Sequence, residues 1–188
     1  MPFPSPFSGS DEADTTFDEY DEFVPEHLPD PGPFLEGHDV LTGEAHVAFR
    51  RTTREVFEAR GVRDATFGYN LARLDLDTRH PDAGYRYARE ESDPSVLRAE
   101  FTPTTEFCPG SETLAKGSFR AWNGLVAEHG YDLVRVRVAP MHDDAERINR
   151  ALARLERGYR DTGEVGHDPG ARSRPDDIEG DSSPSTPL

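Results

Sequence analysis

The chain has 188 residues, 34% of them hydrophobic, and carries 37 acids against 21 lysines and arginines, a formal charge of −16. That length allows one modest domain but not two large ones. The acidic balance argues against a nucleic-acid surface, which needs a basic footprint. No run reaches the roughly 18 apolar residues needed to span a bilayer. The opening "MPFPSPFSGSDEAD" has neither the basic nor the apolar region of a secretory leader, so none is expected.

The charge is unevenly placed. Residues 1–40 hold eleven acids and no lysine or arginine, and residues 161–188 hold seven acids against Arg172 and Arg174. Residues 41–160 hold nineteen of each sign and are formally neutral. Lys116 is the single lysine. An arginine-dominated, acid-rich composition fits a salt-loving, GC-rich source, since excess acid keeps a protein solvated at high ionic strength.

In chain order, residues 1–40 are rich in Pro, Gly, Asp and Glu and are expected to form a disordered acidic tail. Within them "FDEYDEF" interleaves Phe17, Tyr20 and Phe23 with carboxylates, the composition of a solubilising tail or of a segment that docks in a partner's groove. Residues 41–160 read as the folded domain. Val47, Phe49, Val56 and Phe57 in 42–61, ending on Gly61, predict an amphipathic helix. "LARLDLD" (71–77) alternates leucines with charged residues and predicts a strand, "HPDAG" a turn, and "YRYARE" a short return strand. "VLRAEFT" (96–102) sets Leu97, Ala99 and Phe101 against Arg98 and Glu100 and predicts a half-buried strand.

A loop follows, then a helix carrying Leu114, Ala121, Trp122, Leu125 and Val126 and closed by Gly130, with Trp122 read as core. "YDLVRVRVA" predicts a strand with Val134, Val136 and Val138 inward. The last helix places Ile148, Leu152, Leu155 and Tyr159 on one stripe, capped by Asp143 or Asp144. Residues 161–188 read as a second disordered tail. The economical packing is an α+β fold, a small mixed sheet with helices on one face. The helix between 96–102 and 131–139 is long enough to cross over, so those strands can be parallel neighbours.

The lone cysteine, Cys108, precludes an intrachain disulfide and suits a reducing cytoplasm. It lies in "TPTTEFCPGSET". If Pro109 opens the following helix, Cys108 is its N-cap and faces free amides; if Ser111 caps, the sulfur lies further upstream. Free cysteines are also among the most buried residues, so a packed filler is an equal reading. A cluster bound by one chain is short of ligands, because iron–sulfur clusters want about four thiolates. A hydrolase would need His129 or His142 as base, and a thiol redox enzyme lacks a second cysteine to resolve its intermediate.

The stretch Phe101 to Pro109 resembles the Thr-x-Thr-x-x-x-Cys-Pro motif of the iron–sulfur cluster assembly factor domain family, which includes SufT, PaaD and the eukaryotic cytosolic iron–sulfur targeting proteins. A second block agrees: His142, Asn149, Arg150, Leu152, Glu156 and Arg157 stand where the targeting branch has a His, an Asn with a basic neighbour, a Leu and a Glu-Arg pair. The match covers roughly 96–158. The resemblance implies an iron–sulfur assembly-like α+β domain, often a homodimer. It implies Thr102, Thr104 and Cys108 as a loop contacting a cluster, Cys108 as the metal-contacting sulfur, and His142 and Asn149 as structural or partner-facing residues. The implied function is non-enzymatic: a cytoplasmic accessory factor that handles a transient iron–sulfur cluster and meets carrier or recipient proteins, with no nucleic acid or membrane partner. The alternative is an interaction module on the same scaffold that docks through its acidic–aromatic N-terminal segment.

Overall fold

The structure, a computed structural model, describes residues 16–166. Four strands form one sheet in the order β1 (Asp39–Val40), β2 (Gly84–Arg89), β3 (Val96–Thr102) and β4 (Leu133–Val138). The first two pairings are antiparallel, and β3 and β4 run parallel, with Ala99 opposite Val136. The crossover between them is α2 (Ser111–Gly124), as the spacing predicted. With α1 (Gly43–Arg60) and α3 (Ala145–Thr162), this gives an α+β domain with a four-stranded mixed sheet.

Strand alternation divides the sheet into two unlike faces. Tyr85, Tyr87, Leu97, Ala99, Phe101, Val134, Val136 and Val138 share one face and join the helices in the hydrophobic core. Trp122 of α2 is fully buried there, its ring 4.8 Å from Phe57 and 5.0 Å from Tyr85, and its indole N–H donates to Thr53 Oγ1 at 3.2 Å. The helix α1 stops on Gly61 in the left-handed conformation (φ 68°), where its N–H and that of Val62 turn back onto the last carbonyls.

The opposite face carries Arg86, Glu100 and Arg137 in one row and Arg98 and Arg135 in the next. Residues 28–35 lie across it. The buried Glu100 carboxylate accepts the N–H groups of Gly32 (2.6 Å) and Phe34 (3.3 Å), Arg86 donates to Pro29 O (2.9 Å) and Arg98 to Phe34 O (3.0 Å). The Phe34 ring lies under the guanidiniums of Arg98, Arg135 and Arg137 at 4.7–5.6 Å. Burial pushes the Glu100 carboxyl above its ordinary pKa, and the two backbone N–H groups partly offset that.

Three expectations change. The tail reading of 1–40 fails over residues 16–40: Leu28 and Leu35 are buried, Asp39–Val40 is a strand, Phe17 bridges to Asp77, and Arg50 Nη2 donates to Tyr20 O (2.6 Å) and Glu22 O (2.5 Å). Residues 1–15 and 167–188 lie outside the described residues. The expected strand at 71–77 is a 3₁₀ segment, Leu71–Leu76. Its alternation did not mark a wet face, because Asp75 and Asp77 are buried as well. Asp75 faces His46 (3.3 Å) and Arg50 (3.6 Å), and Asp77 accepts from Tyr69 and Arg79. The second helix ends at Gly124 rather than near Gly130, followed by a short 3₁₀ turn, Val126–Glu128.

Candidate functional site

The β3–α2 loop carries Cys108. Gly110 occupies the N-cap position of α2, so Cys108 lies two residues before the cap, and neither of the two expected caps is used. The loop folds on itself through Cys108 N–H to Thr105 O (3.4 Å) and Ser111 N–H to Cys108 O (3.3 Å). The sulfur is half-buried in a pocket of about 360 Å³ that also touches Phe107, Pro109, Glu112, His142 and Arg147. Phe107 beside it is 72% exposed.

The second motif comes to the same place. His142, on the turn after β4, is buried, and its Nδ1 accepts the Asp144 N–H at 3.0 Å. That leaves Nε2 carrying the proton, which it donates to Cys108 O at 2.9 Å. A second tie, Asp143 N–H to Glu106 O (3.0 Å), runs beside it. His142 therefore clamps the cysteine loop by its main chain. With both ring nitrogens engaged, it is neither a metal ligand nor a base for the thiol in this arrangement. His129 is no substitute: it binds Trp122 O (2.8 Å) and the Tyr131 N–H at the other end of α2, about 20 Å along a 14-residue helix.

Asn149 also faces inward. Its Oδ1 accepts the Val138 N–H (2.7 Å) and its Nδ2 donates to Val138 O (2.9 Å), so one side chain imitates a neighbouring strand. Asn123 of α2 does the same to Val134, at 2.9 Å for both bonds. Sequence reasoning missed Asn123; the signal was there, because each asparagine lies eleven residues from the valine it serves. Together they satisfy the outer edge of β4 at Val134 and Val138. Thr102, the last residue of β3, and Thr104 in the loop are half-buried, and neither hydroxyl makes a hydrogen bond among the described residues, so they do not brace the loop.

The pocket is rich in acid. Glu112 pairs with Lys116 (2.8 Å) and Arg147 (2.6 Å), which hold its carboxyl below the ordinary glutamate pKa, and Asp144 meets Arg147 at 3.4 Å. Among the described residues no three His, Cys, Asp or Glu side chains are grouped to hold a metal. One chain thus offers a single thiol, and a cluster held here needs its remaining ligands from elsewhere. Because His142 grips only the backbone, His142→Ala is expected to loosen the loop and speed alkylation of Cys108 several-fold with little change in global stability. Timed labelling of wild type and variant under native conditions measures it.

Fold and site define a small α+β protein that presents one thiol on a crossover loop, pinned from behind by a histidine. The chain belongs to the family of a domain of unknown function (DUF7998), whose model matches residues 15–166. The match begins at residue 15, so the segment lying over the charged face of the sheet is part of the family domain. No curated protein and no solved structure matches the chain. No described helix is long and apolar enough to cross a membrane.

Proposed function

We propose that this protein is a non-enzymatic, cytoplasmic accessory factor in iron–sulfur cluster assembly or delivery, on a scaffold like the iron–sulfur assembly domain, and that Cys108 contacts the cluster or the protein carrying it. The observation that carries the reading is the meeting of the two motifs. The Thr-x-Thr-x-x-x-Cys-Pro loop and the His-to-Asn block are separated by 34 residues from Cys108 to His142, yet they join in a direct hydrogen bond. The cluster is cargo in this reading. A single thiol can replace one exchangeable ligand on a cluster held by a carrier, by a recipient, or between two copies of this chain. The exposed ring of Phe107 gives such a partner an apolar contact beside the sulfur.

Docking through the acidic–aromatic segment is the less supported alternative. Phe17, Tyr20 and Phe23 already lie against Arg73, Arg54 and His46 of their own domain, and would have to leave it first.

Anaerobic reconstitution with iron and sulfide, alone and with a cluster-loaded carrier protein, tests the proposal. Wild type is expected to acquire iron–sulfur absorbance or to draw cluster from the carrier, and Cys108→Ala to do neither while keeping its far-UV spectrum. Absence of cluster uptake by wild type in both formats, with undiminished client-enzyme activity in a Cys108→Ala strain, overturns it.

A further inference from the structure

Most arginines of this domain are engaged. Among the described residues only Arg54, Arg73, Arg154 and Arg157 make neither hydrogen bond nor ion pair to the protein, and the last two are exposed on α3. The first two share a cleft of about 810 Å³ between α1 and the 68–73 segment. There the Arg54 guanidinium lies over the Tyr20 ring at 4.6 Å, and that of Arg73 lies 3.6 Å from the Phe17 centroid and 5.9 Å from Tyr69. Each guanidinium lies against an aromatic ring, its N–H groups have no acceptor among the described residues, and Arg73 is half-buried in that state.

The other polar groups in the cleft are largely committed. Arg63 pairs with Glu58 at 2.6 Å, and the Asn70 amide donates to Arg54 O and reaches Glu58. Among the described residues, Glu55 is the lining carboxylate without a partner. The Tyr20 hydroxyl makes no hydrogen bond among the described residues. It lies within the field of both open arginines: burial raises its pKa while Arg73 and Arg54 pull it down. In a chain of net charge −16, Arg54, Arg73 and Tyr20 bring two guanidiniums and a hydroxyl with open donors to the lining of one cleft.

We propose that this cleft binds a small phosphorylated molecule, its phosphate held by Arg54, Arg73 and the Tyr20 hydroxyl and its body laid on Tyr69. Two forked donors and a hydroxyl match the three free oxygens of a phosphomonoester, whereas one fork alone satisfies a carboxylate. The volume exceeds what bare phosphate fills and falls in the range of small-molecule sites, roughly 300–1,000 Å³. The site does not involve Cys108, so it stands or falls separately from the cluster reading.

Calorimetric titration of the full chain at low ionic strength, where screening is weak, tests it with phenyl phosphate, inorganic phosphate, benzoate and phenol. Phenyl phosphate is expected to saturate the site and to bind about ten-fold tighter than inorganic phosphate or benzoate, with phenol silent. Losing one charge-assisted fork should weaken it by about ten-fold in Arg54→Gln and in Arg73→Gln, with part regained in Arg54→Lys and no change in Arg154→Gln. Arg54 is exposed and on a helix surface, so its variant keeps the test clear of folding defects. No saturable binding by either phosphate, equal binding in Arg54→Gln, or benzoate binding as well as phenyl phosphate would overturn the proposal.

Discussion

Gly84→Ala is expected to destabilise the domain by about 3–5 kcal/mol, as read by urea unfolding. Gly84 opens β2 at φ 117°, a backbone conformation that side-chain-bearing residues rarely adopt. A Cβ there would stand 2.6 Å from the Asp75 Cβ and 2.9 Å from its Cα and N. The 3₁₀ segment cannot retreat freely. The Asp75 carboxylate faces His46 and Arg50, and Arg50 in turn holds the main chain at Tyr20 and Glu22. One methyl group therefore strains a polar cluster that α1, the 3₁₀ segment and the N-terminal segment all share. Gly130→Ala is the control: Gly130 also has positive φ (75°), but nothing lies within 4 Å of where a Cβ would stand. It should cost about 1–2 kcal/mol, from backbone strain alone.

Trp122→Ala should cost a similar amount, about 3–5 kcal/mol, and lower the melting temperature by roughly 10 °C. The indole is the largest fully buried side chain and lies against Phe49, Phe57, Tyr85 and Tyr87. Removing it opens a void between α1, α2 and the sheet and takes the indole donor from the Thr53 hydroxyl, which keeps its contact with Tyr87. Trp122→Phe refills most of the space and loses only the 3.2 Å bond to Thr53, so about 1–2 kcal/mol is expected. If the two variants melt together, the ring cluster is not what holds the layers. Neither change touches the Cys108 loop, so cluster uptake in the folded fraction should survive both.

The elements that sequence made legible are those whose periodicity reports one face. Val134, Val136 and Val138 alternate against arginines and form β4, and the stripe of Ile148 and Leu152 buries α3. The parallel pairing of β3 and β4 followed from a connecting helix of crossover length. Two of the failures share a cause, which is burial of charge. Asp75 and Asp77 looked like the wet side of a strand, and the segment from Phe17 to Val40 looked too acidic and proline-rich to fold. Asp75 is held by His46 and Arg50 and the segment by Glu100 and five arginines, all far away in sequence, while Asp77 is held nearer by, through Tyr69 and Arg79. Such pairings leave no periodic trace. At the candidate site, the motif spacing pointed to the loop and the histidine. It did not reveal that the histidine grips main chain, or that Asn149 has a twin in Asn123.

The covering of the charged sheet face also governs where the polypeptide can be trimmed. Cutting at residue 40 would strip Glu100 of both its amide donors and leave Arg86, Arg98, Arg135 and Arg137 facing water around a stranded carboxylate. Loss of a binding partner after so deep a deletion would report a broken protein rather than a missing recognition tag. A cut after residue 15, where the family domain begins, separates those two meanings.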